Sequence, residues 1–434
     1  HALRRLGFPT KRLKTGTPPR VDKNTVDYDA MLTQAPSATP LLFSYTSDAT
    51  FYGPQLPCYV TETSERTHKL VRDNLLYSPL YGLDLIEGIG PRYCPSIEDK
   101  VVKFAHNPSH QLFIEPEGWN EPTLYVGGFS TSLPAEIQIQ MLHTLPGLEE
   151  CVMVRAGYAV EYDMVPPTQL HDTLETRRIA GLYHCGQLNG TSGYEEAAAQ
   201  GLVAGINAAR AVHGREPLRL SRSQAYIGVL IDDLVTKGVD EPYRMLTSRA
   251  EHRVILRHDN ADTRLTPLGR EMGLVDDLAW DAFEARQAAL RAGITRAERT
   301  RVGIERIKDQ QFDAGSTLAD ALRRPTLEFG DIADRFAPPL DAAVGERVAI
   351  ELKIAGYVRR QEIAIERAAK AERAVIPADF DYAELLALSH EAREKLSAQR
   401  PRTLGAASRI PGVTPADVAI VGLFIERGRA SRAS

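Results

Sequence analysis

Two short stretches of this chain gather residue types that do chemistry. The first is Gly90, Pro91, Arg92, Tyr93, Cys94, Pro95, Ser96, Ile97, Glu98, Asp99, Lys100, Val101, Val102, Lys103 and Phe104. Ser96 followed three residues on by Asp99 reads as the cap of a helix starting near Ile97. Cys94 then sits just before a helix N-terminus and two residues from Arg92. Both neighbours favour a thiolate, the nucleophilic form of the side chain. The same residue also reads as a buried free cysteine that packs as a small hydrophobe. Gly88 and Gly90 begin a G-x-G, but Tyr93 stands where a third glycine would complete a dinucleotide fingerprint, so that signal is weak.

The second stretch is Gly186-Gln-Leu-Asn-Gly-Thr-Ser-Gly-Tyr-Glu-Glu-Ala-Ala-Ala-Gln-Gly201. A strand is predicted before it, from Gly181 to Cys185, and a helix of small residues after it, to about Val212. Strand, glycine turn and helix N-terminus together make an anion site, because unpaired N–H groups and the helix dipole point the same way. Ser192 and Glu195 match the S-x-x-E capping box. Ala197, Gly201, Gly205 and Ala209 repeat every four residues, a ridge without bulk that a flat ligand or a strand could approach. A ligand site and a tight packing seam both fit this pattern.

Positive charge gathers in two further places. Arg244, Arg249, Arg253, Arg257, Arg264 and Arg270 lie within one stretch, and Arg249, Arg253 and Arg257 would share a face if it were helical. Such a face binds phosphates or is ion-paired and solvated. Lys11, Arg12, Lys14 and Arg20 surround the rigid Thr15-Gly-Thr-Pro-Pro19 loop, with the same two readings.

The elements that must hold these residues follow from length and patterning. The 434 residues allow two or three domains, and 52 basic against 57 acidic residues give a net charge of −5. That balance excludes a bulk nucleic-acid-binding composition and leaves only local patches for a nucleic-acid partner. The four cysteines form no C-x-x-C pair, which argues against a disulfide framework or a cysteine zinc site. With no apolar run long enough to span a bilayer and no signal peptide, a soluble protein of a reducing compartment is expected. Residues 1–89 read as a small mixed α/β unit, and 90–213 as an α/β domain of alternating strands and helices. Residues 214–376 are dominated by amphipathic helices such as 281–308 and 346–374. A linker is expected over 323–339. A last helical module, 377–434, holds a helix, a turn at Pro411 and Gly412, and a second helix. It has the outline of a helix-hairpin-helix with Thr414 in place of the second glycine, and reads as a protein-docking module.

Taken in order, several segments resemble one family, the FAD-containing GidA/MnmG subunit of the bacterial tRNA 5-carboxymethylaminomethyluridine modification enzyme. They include Arg12-Leu-Lys-Thr-Gly-Thr-Pro-Pro-Arg20, Gly90 to Lys100, His110-Gln-Leu-Phe-Ile-Glu-Pro-Glu-Gly118 and Ser130-Thr-Ser-Leu-Pro134. Glu161-Tyr-Asp163, Gly186 to Gly201, Ser223 to Asp233, Glu241 to Glu251 and the Pro411 turn continue the match along essentially the whole chain. The resemblance implies a partial, Rossmann-like α/β FAD-binding domain with an inserted α/β subdomain, followed by a C-terminal all-helical domain. It places Gln187 at the flavin, with Asn189, Gly190, Thr191 and Gly193 around it. It assigns Gly90 to Phe104 to NADH and makes Cys94 catalytic, either adding to C6 of a wobble uracil or acting as acid/base. It further implies a methylenetetrahydrofolate donor, tRNA as substrate, a GTPase partner (MnmE) docked on the C-terminal helices, a homodimer and a cytoplasmic location. Lys14, Arg20, Arg249 and Arg253 become candidates for tRNA contact. The family's N-terminal G-x-G-x-x-G and second functional cysteine are not found in this sequence, so a truncated copy of an active enzyme's sequence is expected. Two other readings stand beside this one: a folate- and FAD-dependent tRNA uridine methyltransferase similar to TrmFO, and a non-catalytic fragment that binds tRNA or the GTPase.

Overall fold

The computed structural model describes residues 2–38, 42–45, 47, 53–92, 95–377, 379–410 and 412–433. The chain divides into two units, one of His1–Glu251 with Ala261–Trp280, the other of His252–Asn260 with Asp281–Ser434.

The first unit opens on a short helix, α1 (Ala2–Arg5), followed by strands β1 (Lys11–Thr17), β2 (Arg20–Asp22), β3 (Leu32–Gln34) and β4 (Cys58–Glu62). Helices α2 (Glu65–Asp73) and α3 (Ile97–Lys103) precede β5 (Gln111–Pro116) and β6 (Thr123–Gly127). Helix α4 (Ala135–Leu142), strands β7 (Met153–Arg155) and β8 (Tyr158–Met164), and helices α5 (Tyr194–Val212), α6 (Tyr226–Asp232) and α7 (Ala261–Glu271) complete it. Six strands form one antiparallel sheet in the order β3-β4-β5-β6-β2-β7, with Tyr59 opposite Ile114 and Val21 opposite Leu124. On this sheet alternate side chains turn inward: Leu112 and Ile114 on β5, Leu124 and Val126 on β6. They pack against Val71, Ile97, Val101, Met141 and Leu142 of α2, α3 and α4. Strands from both sides of position 89 thus build a single sheet, which corrects the expected boundary at 89/90. The signal was hidden because β2, β3 and β7 are only three residues long and pair across wide sequence gaps.

Strands β1 and β8 form a separate antiparallel ribbon, Lys11 opposite Met164 and Thr17 opposite Tyr158. It carries its own small cluster of Leu13, Tyr162 and Met164. No regular strand forms over Gly181–Cys185, correcting that expectation; Tyr183 makes only an isolated bridge to Glu175.

The second unit contains most of α8 (Asp277–Arg299), then β9 (Glu305–Ile307) and β10 (Gln310–Phe312), and helices α9 (Leu318–Leu322), α10 (Ala342–Arg373), α11 (His390–Gln399), α12 (Leu404–Ser408) and α13 (Pro415–Ala433). The β9–β10 hairpin interrupts a region expected to be purely helical. The expected linker is instead core: Leu327, Phe329, Ile332 and Phe336 pack with Leu318, Leu322, Val348 and Leu352. Its Pro and Phe residues mark a tightly packed irregular segment, not a tether. A second cluster, with Leu388, Leu396, Ala407 and Val421, holds α11, α12 and α13 together. The turn between α12 and α13 lies where expected, although Pro411 is outside the described residues. Among the described residues, no helix is long and apolar enough to cross a membrane, and no His, Cys, Asp and Glu side chains gather as a metal site.

Candidate functional site

The glycine turn is built around one buried amide. Gln200, fully buried in α5, accepts at Oε1 from the backbone N–H of Gly186 (3.1 Å) and from Asn189 Nδ2 (2.9 Å). Asn189 Nδ2 also donates to the His184 carbonyl at 3.0 Å. Gly186 and Gly190 hold φ of +67° and +76°, a region open to glycine at no steric cost. A Cβ on Gly190 would stand 2.7 Å from Val239 Cγ2 and 3.4 Å from Leu13 Cδ1 and Met164 Cε. The ribbon reaches the turn directly, since Val165 N–H donates to the Leu188 carbonyl at 2.8 Å.

From the other side, Tyr243 N–H donates to the Gly190 carbonyl at 2.8 Å, and Met245 N–H donates to Glu196 Oε1 at 3.0 Å. The Arg244 guanidinium lies 3.7 Å from the same Glu196 oxygen. Within this frame Gln187 is exposed, whereas Asn189 and Thr191 are fully buried. Asn189 Oδ1 and Thr191 Oγ1 have no protein hydrogen-bond partner, and buried polar atoms in that state call for a ligand or a water. The expected capping box is corrected here. Gly193, not Ser192, is the N-cap of α5, and no side chain caps the helix. Glu196, one residue beyond the predicted Glu195, is the acid tied into the turn. The small-residue ridge runs along a groove with Met272 and Leu274 beside it.

The Gly90–Phe104 stretch divides into a solvent side and a core side. Tyr93 and Cys94 lie outside the described residues. Ser96 is the N-cap of α3 as predicted, accepting from Asp99 N–H. Ile97 and Val101 belong to the sheet core, and Glu98 is fully buried. Glu98 accepts at Oε1 from Thr131 Oγ1, Ser132 N–H and Ser132 Oγ at 3.0 to 3.2 Å. These three residues therefore face away from any surface ligand, while Val102 and Phe104 are exposed. Before the helix, Gly88 N–H and Glu87 N–H donate to Glu161 Oε1, and Lys14 N–H donates to the Ile89 carbonyl, fastening this strand-like segment to the ribbon.

Lys14 is buried and its Nζ stands 3.4 Å from Asp99 Oδ2. Lys103 Nζ at 2.6 Å and Tyr81 Oη at 2.9 Å meet the other carboxylate oxygen. Burial pushes the Asp99 carboxyl up, but hydrogen bonds from Lys103 and Tyr81 and the Lys14 charge outweigh it and hold the group below its ordinary value. Burial and the Asp99 charge raise the Tyr81 phenol. Of the two readings open for Lys14, the structure shows the ion-paired one: the side chain is buried with Asp99, beside Ser96 and Ser130 in a narrow cleft.

Residues 247–249 form a 3-10 turn and 251–255 a run of turns, so the helical condition on a shared face of Arg249, Arg253 and Arg257 is not met. Arg249 stacks on the Tyr243 ring at 4.4 Å. Arg257, in the second unit, pairs with Asp259 and Glu351. Arg20 pairs with Glu117 and lies over Tyr125 at 4.7 Å. Arg253 is exposed. Of the other cysteines, Cys151 is buried and its thiol is pushed up to about 12 by burial, whereas Cys185 is exposed beside the turn. Gln200, Glu196, Tyr243 and Arg244 were not singled out as site residues. The lone amide within the alanine-rich Ala197-Ala-Ala-Gln-Gly201 face was the available signal.

A ribbon feeding a glycine turn, a long small-residue helix behind it and an antiparallel sheet subdomain define an α/β fold of the FAD-binding class, continued by C-terminal helical domains. Comparison narrows the class to one family. The profile described as glucose inhibited division protein A matches residues 1–216, and those of the MnmG/GidA C-terminal helical domain and helical bundle match 277–362 and 364–434. The chain belongs to the GidA/MnmG family. Among its relatives, proteins from Ligilactobacillus salivarius and Synechocystis, each named tRNA uridine 5-carboxymethylaminomethyl modification enzyme MnmG, are 49% and 50% identical. The matches cover 99% and 98% of this chain and 70% and 68% of theirs. A solved structure of Aquifex aeolicus GidA superposes with a TM-score of 0.81 at 41% identity, over 97% of this chain and 68% of that one.

Proposed function

We propose that this chain serves FAD-dependent modification of tRNA, installing a carboxymethylaminomethyl or aminomethyl group at C5 of the wobble uridine. The observation that carries the reading is the turn: two positive-φ glycines beside Asn189 and Thr191, whose buried oxygens lack protein partners, at the start of a helix with no side-chain cap. The two orphaned oxygens fit a polar-edged group that would donate to them, while the glycines shape the turn and are themselves covered by Ala197 at Gly186 and by Val239, Leu13 and Met164 at Gly190. Gln187, Asn189, Gly190, Thr191 and Gly193 would hold FAD, which supplies the redox capacity when bound. NADH would meet the outward residues of Gly90–Phe104, and methylenetetrahydrofolate would donate the carbon. Cys94 is the proposed nucleophile toward uracil C6, or the acid/base of that step. Arg253 remains the tRNA-phosphate candidate among the four named basic residues, since the others already have partners within the fold. A GTPase docked on the C-terminal helices, a homodimer and a cytoplasmic setting belong to the same reading.

Titration of FAD into the protein, followed by quenching of flavin fluorescence, tests the site. Saturable quenching is expected, and unchanged emission at every protein concentration counts against a flavin site. Nucleoside analysis of tRNA after incubation with the complete system tests the chemistry. Cys94→Ser is expected to abolish the modified uridine while tRNA binding persists; modification at the wild-type level removes Cys94 from the mechanism.

A further inference from the structure

Two sequence motifs outside the glycine turn, Ser223 to Asp233 and Glu241 to Glu251, come together in the structure. Between them lies a π-helical turn, Asp233–Lys237, a feature often found at functional sites. Its first residue, Asp233, is buried and accepts at Oδ1 from Arg222 Nη1 (2.8 Å) and Lys237 Nζ (2.6 Å). Its Oδ2 accepts from Tyr243 Oη at 2.9 Å. Arg222 also forks onto Glu251 at 2.7 and 2.9 Å, and donates to Asp232 at 3.0 Å. Arg249 lies over the Tyr243 ring, with its Nη1 3.9 Å from Asp233 Oδ2.

The hub therefore fixes one side chain, Tyr243, at its hydroxyl and at its ring. The backbone of that residue closes the glycine turn through its N–H bond to the Gly190 carbonyl. On either side of Tyr243, Val239 packs against Gly190, and Arg244 and Met245 engage Glu196. We infer that Asp233 and Tyr243 are positioning residues that hold the 239–245 segment across the Gly186–Glu196 turn and so set the shape of the proposed flavin site. The inference rests on the flavin reading of that turn. Charge-assisted hydrogen bonds to a buried carboxylate are the strong kind, so the anchor is stiff enough to carry this role.

The test uses Tyr243→Phe, which removes the hydroxyl and leaves the ring and backbone N–H, with Asp233→Asn, which keeps an acceptor and loses the charge. Amide hydrogen exchange on the FAD-free protein is measured first. Tyr243→Phe is expected to speed exchange at Tyr243 and through residues 186–197, with the β5 and β6 amides unchanged. FAD titration then reads the consequence: roughly tenfold weaker binding for Tyr243→Phe, the size of one lost hydrogen bond to a charged acceptor. An altered visible band of the bound flavin should accompany it, with Asp233→Asn intermediate on both measures. Wild-type exchange in the turn overturns the inference, as does weaker global stability with wild-type exchange, flavin affinity and band shape. If the wild-type protein takes up no FAD, the flavin reading fails while the exchange result still decides whether Tyr243 clasps the turn.

Discussion

Replacing Gly190 by alanine probes the turn with a single methyl group. Two costs add. Holding an L-residue at φ of +76° costs about 1–2 kcal/mol. The new methyl, 2.7 Å from Val239 Cγ2 and 3.4 Å from Leu13 and Met164, overpacks a closed site and costs about 1–3 kcal/mol more. The sum, about 2–5 kcal/mol, lowers the melting temperature of the α/β unit by about 5–15 °C for a domain of this size. Gly181→Ala is the matched control. Gly181 has φ of +80°, yet nothing lies within 4 Å of the position its Cβ would take. It pays only the backbone cost, and the gain from a stiffer unfolded chain is the same in both variants and cancels. Calorimetry or thermal circular dichroism on the pair isolates the steric part. Equal losses for the two variants would show that Val239 does not press on Gly190, and the clasp over the turn would be refuted with it.

Further outcomes follow from burial elsewhere. Buried His68 and His184 and half-buried His110 each have the imidazole pKa lowered, first by burial. Their neutral forms are favoured in the native state, so the α/β unit should lose stability as pH falls below about 6.5, the unfolded value. Melting curves from neutral pH to about pH 5 check this, and a flat profile contradicts it. Asp99 and Asp233 lie below the ordinary carboxylate value. Their contribution is complete above about pH 4 and is lost as pH falls through their lower native values, so Asp233→Asn should reduce the acid-side slope of stability. In the second unit, Gly345→Ala places a methyl against the Phe329 ring, which must move. A loss of about 1–3 kcal/mol is expected in that unit's unfolding transition, with the α/β transition unchanged.

Legibility in the sequence varied with the range of the interaction. Ser96 and Asp99 were readable because a cap is a local event decided by a hydroxyl and an N–H three residues apart. The span of α5 was readable from its run of good helix formers. Its cap was not, because Glu196 is drawn off by Met245 N–H and Arg244, partners about fifty residues away in sequence. The sheet was poorly legible for the same reason: three-residue strands carry almost no alternation. Arg249, Arg253 and Arg257 matched a helical face only on the premise that the segment was helical, and the cation–π contact with Tyr243 had no short-range signature. The 323–339 stretch read as a linker by composition, yet its aromatic residues are core.

The discontinuous division of the chain bears on the order in which the protein can be made. Residues His252–Asn260 belong to the second unit, but Ala261–Trp280 return to the first, where Arg264 bonds the Gln224 carbonyl and Met272 and Leu274 flank α5. During synthesis the α/β unit cannot be finished until residue 280 has emerged, by which point a piece of the second unit has already been made. No single scission yields two intact parts: a break near residue 251 strips the first unit of α7, and one near residue 280 leaves Arg257 and Asp259 severed from Arg347 and Glu351. Limited proteolysis should therefore give nicked chains that stay associated rather than two separable products, and the two units would have to be inherited as one continuous gene segment.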